Sequence, residues 1–272
     1  MDILKRELAP IPMEAWTEID AQATRSLKAM LSGRKFLDVT GPMGTDFPGV
    51  PEGRLLYPER QPKEGLSYGV RKVHQVVEVR VPFELDIQEM DNVVRGAKDV
   101  DLSAMEDAAR NIALFEEKSI YHGLPEANIR GLKSCAGKDC LTIGSKPEQL
   151  LEGIAEGVTV FTSRSIDGPY SFIVGPKLWS RMSAHVQGYP VKMQAESVLG
   201  GPVLLSPYLS GDFENEAYMV SRRGGDFQLI LGQDLAIGYE SHTPTQVKLY
   251  FTESFTFRVL EPAAVIHYTA LT

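Results

Sequence analysis

Residues 41–69 constrain this chain more than any other stretch. Nearly 30 residues run rich in Gly and Pro, with one short apolar piece at Leu55-Leu56-Tyr57. So long a segment without an element of its own is uncommon inside a compact domain. It is either disordered or a long arm that orders against something else.

The flanks carry clear periodicities. Trp16, Ile19, Ala23, Leu27, Met30 and Leu31 recur at three- and four-residue steps, one face of a helix that closes at Gly33. Val73, Val77, Val79, Val81, Phe83 and Leu85 share a face of one long strand, with Pro82 on the other face as at an edge or bulge. Ser103 and Glu106 have capping-box spacing before a helix through Met105, Ala109, Ile112 and Ile120, which stops at Gly123. Ser145 and Glu148 repeat that spacing before Leu150, Ile154 and Phe161. Gly168-Pro169 turns the chain into an apolar strand over 170–174, and a helix near 178–186 ends before Gly188-Tyr189-Pro190. The last third reads mostly as strands. The longest, 247–259, has Val247, Leu249, Phe251, Phe255, Phe257 and Val259 on one face and Lys248, Thr252, Thr256 and Arg258 on the other. Long strands with separate helix groups predict an α+β fold.

With 272 residues, 43% hydrophobic and 24% charged, the chain is globular and large enough to bury a core without disulfides or metal. Thirty-six acids against 28 bases give a net charge of −8, a poor match for nucleic acid, which needs Lys and Arg on its phosphates. Two cysteines, Cys135 and Cys140, are too few for a disulfide framework or a four-cysteine zinc site and read as free thiols in a loop. The N-terminal residues are charged, without the apolar core of a signal peptide, and no run reaches the ~18 apolar residues that span a bilayer. The expected location is cytoplasmic.

No convincing catalytic pattern emerges. Gly65-Leu66-Ser67-Tyr68-Gly69 matches G-x-S-x-G, but a nucleophile elbow needs a strand before Ser67 and a helix after it, and the sequence offers neither. A serine hydrolase is the weakest of the alternatives. Gly131 to Lys138 has five residues between its glycines where a phosphate loop needs four, and Asp139 follows the lysine. The five histidines (74, 122, 185, 242, 267) lack metal-ligand spacing. Asp86, Glu89 and Asp91 read as a solvated turn, and Gly224-Gly225 as a hairpin turn.

Several blocks, taken in order, resemble a known family. They are Leu4-Lys5-Arg6 with Ala9-Pro10; Gly33-Arg34-Lys35-Phe36-Leu37-Asp38-Val39 with Gly41-Pro42; Leu85-Asp86-Ile87-Gln88-Glu89-Met90-Asp91-Asn92 with Arg95-Gly96; and Asp167-Gly168-Pro169-Tyr170. Arg223-Gly224-Gly225-Asp226-Phe227, Leu231-Gly232-Gln233-Asp234-Leu235-Ala236-Ile237-Gly238-Tyr239 and Thr252-Glu253-Ser254-Phe255-Thr256-Phe257 complete the set. Their joint order from residue 4 to 257 is similar to that of the encapsulins, shell proteins of prokaryotic nanocompartments.

The resemblance implies the tailed-phage major capsid protein fold. It divides the chain into an N-terminal helix and arm (1–40), an extended loop with its return strand (41–85), a peripheral domain with a spine helix (86–126), an axial domain (127–222) and a return to the peripheral domain (223–272). It implies a non-enzymatic subunit of a closed icosahedral shell of about 60 copies or a small multiple. That shell encloses a cargo enzyme, a ferritin-like iron oxidase (iron storage) or a dye-decolourising peroxidase, through a C-terminal targeting peptide. Matching the family's lumenal groove are Leu27, Met30, Leu31, Arg34, Asp38, Asp234, Ile237, Gly238 and Tyr239, though Leu27, Leu31 and Ile237 read equally as core. His185, Gly188 and Tyr189 match the five-fold pore loop. Gln88 stands where some relatives carry a flavin-binding tryptophan, with Pro82 nearby, so no cofactor is carried over. A phage or prophage major capsid protein shares the fold and is the main alternative.

Overall fold

The computed structural model describes residues 3–59, 65–137, 140–144, 146–183, 185–186 and 189–271. Ser145 and Gly188 therefore lie outside the described residues, as do Lys138 and Asp139 of the loop-like motif.

The elements in order are α1 (Met13–Met30), β1 (Asp38–Thr40), β2 (Gly49–Leu56), β3 (Val70–Gln75), β4 (Val77–Asp86), α2 (Ile87–Val94), α3 (Ser103–Tyr121), β5 (Gly123–Leu124), β6 (Ile129–Arg130), α4 (Leu132–Cys135), β7 (Cys140–Ile143), α5 (Pro147–Ser163), β8 (Tyr170–Val174) and α6 (Pro176–Met182). There follow β9 (His185–Val186), β10 (Tyr189–Pro190), α7 (Val191–Leu199), β11 (Val203–Leu205), β12 (Glu216–Ser221), β13 (Phe227–Leu231), β14 (Ala236–His242), β15 (Gln246–Val259) and β16 (Val265–Ala270). Short 3₁₀ turns link several of them, the first at Arg6–Leu8. The α+β reading matches this content.

Two sheets organise the chain. The first runs β1-β13-β15-β14, with β4 also paired to β15. The second runs β11-β8-β12-β16-β7. β15 is the 14-residue spine of the first sheet: its N-terminal part pairs β14 and β4, its C-terminal part β13. Both of its faces are buried, so Thr252 and Thr256 are as enclosed as the phenylalanines. Pro82 is tolerated because β4 is an edge strand among the described residues, and an edge strand can spare a donor.

α1, α2 and α3 cover one face of the first sheet. Trp16, Ile19 and Ala23 of α1 share an apolar cluster with Met105, Ala109 and Ile112 of α3 and with Ile237, Leu249 and Phe251. In the second sheet α5 lies against β16 so closely that a Cβ on Gly157 would stand 1.8 Å from the Tyr268 hydroxyl, which itself donates to the Gly153 carbonyl at 3.1 Å. Two helical glycines four residues apart thus seat the helix, at some cost in helix propensity.

Local readings need correction in five places. The 41–69 segment holds a strand, β2, paired antiparallel with β3. The predicted long strand breaks at Val76: β3 belongs to this hairpin and β4 to the first sheet. α3 is entered through Asp101, whose carboxylate accepts from the Ser103 amide at 3.0 Å; Ser103 is the first helical residue and makes no side-chain cap. α6 stops at Met182, and Val186 lies in a two-residue strand. Gly224 and Gly225, both near φ +84°, join β12 of the second sheet to β13 of the first, so they turn the chain between sheets and do not close a hairpin. The final strand, β16, sits in the second sheet with β7, β8 and β12, whereas β13–β15 lie in the first. Cys135 ends α4 and is buried, Cys140 opens β7 and is exposed, and both are free.

Candidate functional site

The residues matched to the groove fall around the C-terminal end of α1 and the neighbouring β14. Ile237 and Tyr239 alternate onto the same face of β14, opposite Phe251 and Leu249. Ile237 is 3% exposed and part of the core, Tyr239 is half-buried at its rim, and Leu27 packs against the same cluster from α1. Leu31 is buried and Met30 half-buried. Gly238 faces the other way: a Cβ there would fall 2.3 Å from the Tyr250 ring, so glycine lets that ring cross the strand.

Arg34 holds the site together. Its guanidinium pairs with Glu116 (Nη2–Oε2 2.6 Å), Asp234 (Nη1–Oδ1 2.8 Å) and Glu253. Glu116 and Glu253 are fully buried, Asp234 half exposed. Burial pulls the guanidinium's pKa down, but the hydrogen bond and charge of Glu116, with Glu253 and Asp234, outweigh it and hold the pKa above its ordinary value. Burial, then the neighbouring Glu116, pushes the Glu253 carboxyl well up against the opposing pull of Arg34. One cation thus serves two buried carboxylates, an arrangement that depends on complete pairing.

Beside it, Glu117 is fully buried. Its carboxylate takes the Ser32 hydroxyl, the Gly33 amide (2.8 Å) and the Ser206 hydroxyl (3.3 Å), and Tyr121 bonds the same Ser32 at 2.7 Å. Burial lifts Glu117 to about 7 in spite of these bonds. Asp38 lies apart from Arg34; its Oδ2 accepts from the Gly225 amide at 2.6 Å and secures the inter-sheet turn. Arg34 and Asp234 are therefore brought together, whereas Asp38 is engaged elsewhere.

Sequence reading missed Glu116, Glu117 and Glu253. Glu253 left a signal: it stands in the inward register of β15, between Phe251 and Phe255, where a carboxylate needs a partner. Away from this site a half-buried carboxylate, Glu216, accepts from Lys133 (2.6 Å), Tyr218 (2.7 Å) and His122 (3.1 Å). Burial raises its pKa, but the bonds from His122, Lys133 and Tyr218, with the His267 ring 3.5 Å away, outweigh that and hold it far below the carboxylate range.

The backbone at His185 and Tyr189 lies in the antiparallel pair β9–β10. Ser67 leads into β3, with no helix behind it. Asp86 caps α2 by accepting from the Gln88 amide at 2.7 Å, Glu89 accepts from Asn92, and Asp91 pairs with Arg95, so the acidic run is the cap and body of a helix and not the solvated turn the sequence suggests. Among the described residues no group of His, Cys, Asp and Glu is placed to hold a metal, and no helix is long and apolar enough to cross a membrane.

Two sheets, a helix laid along the first and a hairpin arm make the tailed-phage capsid subunit fold. Solved structures share it: the virus-like particle from Pyrococcus furiosus (TM-score 0.67, 15% identity, covering 94% of this chain and 100% of that one) and the capsid of Myoviridae phage XM1 (0.58, 12%, 89% and 92%). Residues 1–256 match the family described as encapsulating protein for peroxidase. The type 1 encapsulin shell protein of Rhodococcus erythropolis is 36% identical over 267 residues, 98% of this chain and 99% of that protein. That of Brevibacterium linens is 37% identical over 262 residues, 96% of each. The chain belongs to the encapsulin shell-protein family.

Proposed function

We propose that this chain closes into an icosahedral shell of about 60 copies or a small multiple and encloses enzymes that carry a short C-terminal targeting peptide. The observation that carries this is the β2–β3 arm. Leu55, Leu56, Tyr57, Leu66, Tyr68, Val70 and Val73 are all exposed on or beside it, with Leu56 and Tyr57 57% and 62% accessible. An exposed apolar group of this kind, on a hairpin too small to be stable alone, is accounted for by a neighbouring copy. Membership of a shell-forming family supports the same reading. The test is native size: a megadalton particle and hollow spheres in negative stain are expected, and a stable 30 kDa monomer overturns it.

The cargo-docking groove is read as Leu27, Met30, Leu31, Arg34, Asp38, Asp234, Ile237, Gly238 and Tyr239, on the lumenal side. The proximity of α1's end to β14 supports it; Tyr239 offers the half-buried apolar rim, while Arg34 acts by positioning β14 through Asp234. The cargo is a ferritin-like iron oxidase or a dye-decolourising peroxidase, the second favoured by the family's description. The loop carrying His185, Gly188 and Tyr189 is read as the pore. The particle is placed in the cytoplasm, and the chain is given no catalytic role. Cargo recovered with shells from the native cell identifies the enclosed enzyme, and shells that purify empty from that source count against enclosure.

A further inference from the structure

β14 is the last strand of the first sheet, so one of its edges is free of sheet partners among the described residues. The chain's own N-terminal segment sits there. The Tyr239 amide donates to the Leu4 carbonyl at 2.8 Å, and the Tyr250 hydroxyl, crossing over Gly238, donates to the Ile3 carbonyl at 3.2 Å. In an antiparallel strand every second residue turns its amide and carbonyl to the same edge, so those of Ile237 face this edge too.

The hold on the segment is light. Its 3₁₀ turn, Arg6–Leu8, buries no residue, and Ile3 and Leu8 remain exposed. Lys5 takes a left-handed backbone, φ 50°, which a residue with a Cβ adopts at a cost. Arg6 supplies the main side-chain tether: it pairs with Asp20 at 2.8 Å and lies 3.9 Å over the Trp16 ring. The ion pair lies on the surface of α1, where such a pair contributes little.

We propose that the Ile237–Tyr239 edge of β14 is a strand-addition site on which residues 3–8 and the extended targeting peptide of a cargo protein exclude each other, so that loading requires the segment to lift. This rests on the groove reading above, because it places the peptide beside Ile237 and Tyr239. Main-chain hydrogen bonds to a free edge are a general way to bind an extended peptide, with side-chain pockets adding selectivity. The segment seated there is not extended: Ile3 and Leu4 lie in a turn and Arg6–Leu8 in a 3₁₀ helix, so an extended peptide would meet more of this edge than the segment does.

The test uses a fluorescent reporter ending in a copy of residues 3–8, co-expressed with the full chain, with a chain lacking residues 2–8, and with Arg6→Ala. About five-fold more reporter per shell is expected with the truncated chain, and about two-fold more with Arg6→Ala, which covers the case in which the truncated chain does not assemble. Equal reporter loading in the full chain and the assembling variants overturns the proposal. Hydrogen exchange on shells holding native cargo separates the two readings. Loss of protection at residues 3–8, with continued protection at Tyr239, supports exclusion. A response at 27–31 and 235–242 with residues 3–8 unchanged overturns exclusion and leaves the groove standing. No response at any of these segments overturns the groove reading itself.

Discussion

Arg34 Nη2 stands 2.5 Å from Glu253 Oε1, which ties the end of the first helix to the middle of the longest strand, 219 positions later. Glu116 meets the same guanidinium from α3. Removing the cation strands two buried carboxylates. Arg34→Ala is therefore expected to cost about 3–5 kcal/mol and to give little soluble shell, a loss of fold and not only of cargo. Glu253→Gln keeps the shape and the acceptor to Arg34 and should stay within about 1 kcal/mol of the parent. Urea unfolding of the two variants checks the contrast; an Arg34→Ala subunit as stable as the parent would remove the structural role.

Glu117 makes stability depend on pH in an identifiable sense. Its folded pKa of about 7 lies above the ordinary 4.5. Below 4.5 both folded and unfolded chains carry the proton. Between 4.5 and 7 the unfolded chain releases it and the folded chain does not, so stability falls as pH rises, by on the order of 3 kcal/mol per subunit. Glu253, raised too, acts in the same direction. Glu216 is depressed, so its contribution is present above 4.5 and is lost only as pH falls below that value. The Tm should be higher at about pH 5 than at about pH 7.5, and Glu117→Gln should shrink that difference. An undiminished difference in the variant would assign it to other groups.

The periodic parts of the fold were legible in the sequence. α1, α3 and the β15 strand announced themselves through Trp16-Ile19-Ala23, Met105-Ala109-Ile112 and the alternation from Val247 to Val259. What periodicity could not give was long-range: that Gln75 ends one strand and Val77 starts another depends on two different partners, β2 and β15. Gly224-Gly225 looked like a hairpin because turn chemistry is local, whereas the sheet each flanking strand joins is not. At the candidate site, Arg34 and Asp234 stand out through the resemblance and Glu253 through its inward register in β15, but Glu116 is hidden because a buried acid on a helix looks like a surface acid until its partner is known.

The arm makes assembly separable from folding. Leu56 and Tyr57 take no part in the apolar cluster beneath α1 and α3 or in the one built on the second sheet, and are more than half exposed. Leu56→Asp with Tyr57→Asp should leave the subunit's circular dichroism unchanged, because surface changes usually shift stability by about 0.5 kcal/mol or less. Shell formation should fail, since two charges would be buried against a neighbour without partners. Light scattering of the purified variant reads the outcome; particles of normal size would show that this part of the arm stays in water after assembly.

The distribution of Ile237 and Tyr239 between core and rim sets different consequences for two neighbouring substitutions. Ile237 faces Phe251 inside the first cluster, with Leu27 and α1 above it. Ile237→Ala should cost about 2–5 kcal/mol, as for other large-to-small changes in a packed interior. Ile237→Asp adds an unpaired buried charge, so it should prevent shell formation and not simply empty the shell. Tyr239 is different: its ring lies at the rim, its hydroxyl meets His242 Nδ1 at 2.6 Å, and its amide bond to Leu4 does not depend on the side chain. Tyr239→Ala should leave shells intact and lower cargo loading roughly five-fold, the effect of losing about 1 kcal/mol of peptide contact. The cargo-to-shell ratio after co-expression with the native cargo decides. Full loading of Tyr239→Ala shells would move the docking site away from β14, and intact empty shells from Ile237→Asp would take Ile237 out of the core and put it in the groove.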